Sequence, residues 1–124
     1  MREIHGHEAN ECNRAITIEA NDQNPDNGNA SHRYEVSING LRRTAYNPQF
    51  ISFQDGPIKE VGINGLTQEV LLAILIDRLE CFQTSKYACV ENETALGHVK
   101  AALEALGQRT KKREDRGVEG THTV

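Results

Sequence analysis

The sequence contains no tryptophan and a single methionine, and aromatic residues fill only 5% of its 124 positions. Hydrophobic residues reach 37%. So lean an apolar content suits one modest domain rather than two, and it predicts subunits that complete one another's cores. No apolar run approaches the ~18 residues of a membrane-spanning helix, which excludes such a span. Met1 to Asn10 lack the apolar core of a signal peptide, which argues against secretion and for the cytoplasm. The three cysteines, Cys12, Cys81 and Cys89, are an odd number and read as reduced thiols, with Cys81 and Cys89 as small buried residues. A basic excess is also missing. Lys and Arg number 14 against 18 Asp and Glu, a net charge of −4, which argues against a general binder of polymeric nucleic acid.

The usual chemical signatures are absent too. There is no P-loop and no dinucleotide-binding glycine pattern; Gly56-Pro57 and Asn64-Gly65 read as turns. No nucleophilic triad can be assembled around Cys81 or Cys89. His5-x-His7 with Cys12 lacks a fourth ligand at a familiar metal spacing. No catalytic set, metal site or cofactor is therefore expected.

What is present divides the chain into stretches of one domain. Residues 1–31 read as a polar, acidic arm in which Ala15 to Ile18 is the one candidate strand. Residues 32–63 read as a small antiparallel sheet. Tyr34, Val36 and Ile38 alternate with polar residues up to Asn39-Gly40, Phe50 to Phe53 is a second strand, and Asp55-Gly56-Pro57 turns into a third over Ile58 to Ile63. Residues 64–116 read as a helical hairpin. Thr67 caps a helix running to about Gln83, and a second helix runs from near Glu91 to about Asp115, with Gly117 as its stop. Residues 117–124 are left as a tail. The fold class is α+β: a small β region followed by a long antiparallel two-helix hairpin that oligomerises through its helices, because Val70 to Ile76 is apolar on every side.

On a helical wheel the second helix carries one seam, Ala95, Leu96, Val99, Ala102, Leu103 and Leu106. The seam turns polar at both ends, with Asn92 at its start, Thr110 and Arg113 at its finish, and Arg109 and Arg116 on its edge. Phe82 ends the line Leu71, Leu75, Phe82 on the first helix, so a hairpin brings it near Asn92. Arg109 lies roughly 25 Å further along. Two hairpins packed antiparallel would join the aromatic-plus-amide end of one to the arginine end of the other, giving two equivalent pockets per dimer. Such a pocket suits a nucleotide, with arginines on phosphates, an aromatic face on a base, and Asn or Thr on ribose. Each residue also has a plain structural reading: basic side chains complement the helix dipole, Phe82 packs in a core, and Asn92 satisfies backbone groups at a helix start.

Phe53 to Gly65, then Ile76 to Gln83 with Ala88 to Asn92, and finally Arg109 to His122 together resemble the phage anti-Thoeris signal sponges, whose helical hairpin is shared with an anti-CBASS sponge. The resemblance implies a non-enzymatic receptor, acting in the cytoplasm of the infected bacterial host, that sequesters a cyclic ADP-ribose isomer such as glycocyclic ADP-ribose. That signal, made by a TIR enzyme, then fails to activate its effector. By the same resemblance Phe82 stacks on the base, Asn92 contacts ribose or phosphate, and Arg109, Thr110, Arg113 and Arg116 hold the pyrophosphate. It further implies a homo-oligomer, from dimer up to hexamer, and separate sites for CBASS cyclic oligonucleotides, for which Arg42, Arg43 and Lys86 are candidate or merely solvated bases. Two other classes stand beside this one: an enzyme that degrades the signal, and a module whose basic helix end docks on a protein or RNA.

Overall fold

A computed structural model describes all residues from Met1 to Val124. The backbone falls into two compact units, Met1–Gly56 with Val61–Leu66, and Pro57–Glu60 with Thr67–Val124. The architecture is α+β, a four-stranded antiparallel sheet followed by a helical hairpin. No helix is long and apolar enough to cross a membrane.

In the first unit the strands β1 (Arg2–Ile4), β2 (Ile16–Ala20), β3 (Arg33–Ile38) and β4 (Gln49–Ser52) follow one another across the sheet in chain order, and a short helix α1 (Glu11–Arg14) precedes β2. The register pairs Ile4 with Ile18, Ile18 with Val36, Ile16 with Ile38, and Tyr34 with Ile51. Directly paired residues share a face, so these apolar side chains line one side while Glu3, Glu19 and Glu35 fall on the other. Residues 1–31 thus contribute two strands where the sequence suggested one short strand in an arm. β1 is too short to carry a periodic signal; it exists because Ile4 finds Ile18 across the sheet. Asn47, only 4% exposed, closes the β3–β4 connection: its Oδ1 accepts from Ile38 N–H at 2.8 Å and its Nδ2 donates to the Leu41 carbonyl at 2.9 Å.

The expected third strand at 58–63 is not a strand. Ile58–Val61 is a single helical turn, α2. Side chains take the place of a ladder here. The Gln54 amide donates to the carbonyls of Gly56 (3.0 Å) and Gly62 (2.8 Å), and Asn64 bonds both the N–H and the C=O of Asp55 at 2.8 Å. The loop closes where Phe53 and Leu66 form a parallel bridge, with Leu66 N–H on Ser52 O at 2.9 Å. Gly65 is required at that crossing, because a Cβ would fall 2.4 Å from the Phe53 carbonyl carbon.

In the second unit α3 (Gln68–Gln83) and α4 (Val90–Asp115) form the hairpin. Thr67 caps α3 by accepting from Val70 N–H. α4 ends in a Schellman arrangement: Gly117, at φ +72°, donates to Glu114 O, and Val118 donates to Arg113 O. The shielded residues of α4 are Asn92, Leu96, Val99, Leu103, Leu106, Thr110 and Arg113, one stripe at alternating steps of four and three. Ala95 and Ala102, placed on the seam from the sequence, are exposed. Leu96 is the one buried residue of the two helices, while Val70, Ile74 and Leu75 of α3 stay exposed within the chain.

Two expectations follow. Gly65→Ala forces backbone apart at the Phe53 crossing and should cost about 1–3 kcal/mol, read from urea unfolding. The Asp55 carboxylate accepts from the amides of Asn24 (2.8 Å) and Asn27 (2.6 Å), which, with nearby His32 and Arg33, hold its pKa below the ordinary 3.8. Its stabilising contribution is therefore present above that value and lost as pH falls through the lower, folded one. Acid titration followed by circular dichroism should show a steeper loss below about pH 4 in the parent than in Asp55→Asn.

Candidate functional site

The six candidate residues fall at two ends of the hairpin. Phe82 sits in the last turn of α3 and Asn92 in the first turn of α4, on either side of the connecting loop. Gln83 sets that loop: its Oε1 accepts from Cys89 N–H at 3.1 Å, and its Nε2 donates to Cys89 O at 3.0 Å and to Glu93 at 3.2 Å. Ser85 Oγ donates to Phe82 O and accepts from Tyr87 N–H, which turns Tyr87 back toward Phe82. The rings meet edge to face, 6.5 Å apart at 81°, and the Arg78 guanidinium lies 5.1 Å from the Phe82 centroid. Ile74, Asp77, Arg78, Cys81, Phe82, Ser85 and Tyr87 line an open groove of about 520 Å³. Small-molecule pockets occupy about 300–1,000 Å³.

The burial expected of Cys81 and Cys89 is not found. All three thiols are free and exposed. Cys81 borders the groove on α3. Cys89 stands outside the helix as the N-cap of α4, its Sγ accepting from Asn92 N–H at 3.4 Å, so the capping role read for Asn92 belongs to Cys89. His5 pairs with Glu8 at 2.9 Å, His7 Nε2 meets the Ile16 carbonyl at 2.7 Å, and neither belongs to a metal-binding cluster with Cys12.

At the opposite end α4 outruns α3, by 26 residues to 16, or about 15 Å. Thr110 and Arg113 continue the inward stripe there, and Arg109 and Arg116 are exposed beside it. Arg113 is not a free cation. Its Nε donates to Glu119 Oε2 at 3.0 Å, Nη1 to Thr123 O at 2.8 Å, and Nη2 to Val118 O and Thr121 O at 3.0 and 3.2 Å. The side chain is 13% exposed. Arg116 Nη1 holds Val124 O at 2.9 Å. Within one chain, then, Phe82 and Asn92 lie at the loop end of the hairpin, Arg109, Thr110, Arg113 and Arg116 lie at the far end of α4, and the two sets stay apart.

Arg78, Tyr87 and Glu119 were not singled out from the sequence. Arg78 stands one helical turn before Phe82, a spacing that could have revealed it. Tyr87 depends on the loop path and Glu119 on a chain reversal, neither of which leaves a periodic trace. Gln83→Ala should free the loop, costing about 1 kcal/mol in thermal unfolding and weakening the near-ultraviolet signal of Tyr87.

The sequence model of the family described as "Acb2/Tad1, hairpin domain" matches residues 46–111. That stretch holds the motif loop, the whole groove, Asn92, Arg109 and Thr110, and stops short of Arg113 and Arg116. Over 72 residues the chain is 49% identical to Thoeris anti-defense 1 of Bacillus phage SBSphiJ7, covering 58% of this chain and 51% of that protein. The match thus spans about half the length of the phage protein. With more than half of its residues inside the family's match and the α3–α4 hairpin formed, the chain belongs to the Acb2/Tad1 hairpin-domain family.

Proposed function

We propose that this protein is a phage anti-defence receptor that binds a cyclic ADP-ribose isomer without cleaving it and so removes a Thoeris signal inside the infected cell. The supporting comparison is the phage relative named for anti-Thoeris defence. The observation that carries the chemical reading is the polar continuation of one stripe on α4: Asn92 at the end near the interhelical loop, Thr110 and Arg113 at the other. A nucleotide that offers one adenine, two riboses and a pyrophosphate needs both sets. One hairpin keeps them roughly 25 Å apart, so the pocket forms between two antiparallel copies. The exposed Val70, Ile74 and Leu75 of α3 support that association, because a second hairpin would take them out of water.

In this pocket Phe82 stacks on adenine, with Arg78 and Tyr87 framing the ring, and Asn92 bonds ribose or phosphate. Arg109, Thr110, Arg113 and Arg116 of the other copy hold the pyrophosphate. A trap that does not turn over must bind tightly. Leaving a few per cent free at about 1 µM ligand needs a Kd of order 10 nM, about −11 kcal/mol. Several charge-assisted hydrogen bonds in a desolvated interface can supply that.

The decisive experiment mixes the protein with the product of an activated TIR enzyme, removes unbound solute, denatures by heat and identifies what is released by mass spectrometry. Unchanged cyclic ADP-ribose isomer, near one molecule per chain, is the expected result. Release of a cleaved product would make the protein an enzyme, and release of nothing would sink the ligand assignment. Phe82→Ala should weaken binding by about five- to 150-fold in isothermal titration, since a base–aromatic stack contributes about 1–3 kcal/mol.

A further inference from the structure

The segment after α4 reverses direction at Gly117 and returns over the end of the helix. Arg113 is its anchor. Four N–H···O bonds from the guanidinium reach Val118 O, Thr121 O, Thr123 O and the Glu119 carboxylate. An arginine has five N–H donors, so one remains for any other acceptor. On its far side the same segment is held by α2, through Lys59 N–H on Gly120 O at 3.2 Å and His122 Nδ1 at 3.2 Å from Glu60 Oε2. Residues 118–124 are thus a strap fastened at both edges. A phosphate cannot take the bidentate position on Arg113 while Glu119 and the strap carbonyls fill it.

We infer that Glu119 is an internal surrogate for the ligand's phosphate and that the strap is displaced when the anion binds, so that Glu119 sets the anion affinity of the site. This rests on the proposal that Arg113 receives a phosphate, and it adds an element lying outside the family's matched residues. In the unliganded chain the carboxylate keeps the guanidinium oriented and its charge compensated. When a pyrophosphate arrives, it takes over the Nε and Nη2 donors, the Arg113–Glu119 pair opens, and the carbonyls of Val118, Thr121 and Thr123 pass to water. The exchange trades one anion for a more highly charged one. It therefore selects diphosphates over single carboxylates, which only equal what the strap already offers.

The test uses the full chain and linear ADP-ribose as probe. Amide hydrogen exchange of residues 118–124 should speed up at least about fivefold on saturation. Glu119→Gln, which removes the competing charge, should bind the probe about three- to tenfold more tightly. Glu60→Gln, which loosens the strap's other edge without touching Arg113, should shift affinity the same way by a smaller factor. If exchange in the strap slows or stays constant, or if Glu119→Gln binds more weakly, the strap supports the site rather than competing for it, and the inference is overturned. Arg113→Ala separates the two layers. Parent-like binding of the probe by Arg113→Ala, or no binding by the parent, removes the phosphate assignment and the inference together. Lost binding with an indifferent strap removes the inference alone.

Discussion

The hairpin depends on one contact line, the stripe of α4 from Leu96 to Leu106 packed against α3. Its steps of four and three residues keep it facing a neighbouring helix over its whole length. The polar groups that α4 contributes to the proposed site extend that line. Asn92 precedes its first apolar residue, and Thr110 and Arg113 follow its last, so the packing that forms the hairpin also aims these polar groups inward. Because α4 is the longer helix, Arg113 reaches past the start of α3 and meets the returning strap instead of a helix.

Little of the apolar surface is fully enclosed within the chain. Leu96 is 6% exposed, and with Ala20 it makes up the buried apolar set. Polar side chains carry much of the local definition instead. Gln83 locks the interhelical loop, Asn47 the β3–β4 connection, and Gln54 with Asn64 the motif loop. These bonds are short-range and define conformation. They enclose little apolar surface, which is the physical reason for proposing that further burial comes from a second copy.

The helical half was largely legible in the sequence. Thr67 capping α3, Gln83 ending it and Gly117 stopping α4 are local signals, each a side chain or a φ angle acting within four residues. The β half was less so. β1 is three residues long and exists through its pairing with β2, and Ile58 to Ile63, read as a strand because a turn precedes it, instead holds a single helical turn in a loop that Gln54 ties together. Alternation records which positions prefer to be shielded; it does not reveal a side chain that satisfies the backbone in place of a neighbouring strand.

The candidate site divides in the same way. Asn92, Thr110 and Arg113 could be placed on one line of α4, and Phe82 at the end of a line on α3, by periodicity alone, because a helix converts sequence spacing into direction. That Tyr87 would turn back onto Phe82, that Cys89 rather than Asn92 would cap α4, and that Glu119 would already occupy Arg113 were settled only by the path of the loops. Sequence by itself determined the helix ends and the inward stripe, since these follow from local hydrogen bonding and a fixed angular step. Tertiary structure decided which charges are spoken for, since that depends on a chain reversal bringing together groups whose attraction no spacing records.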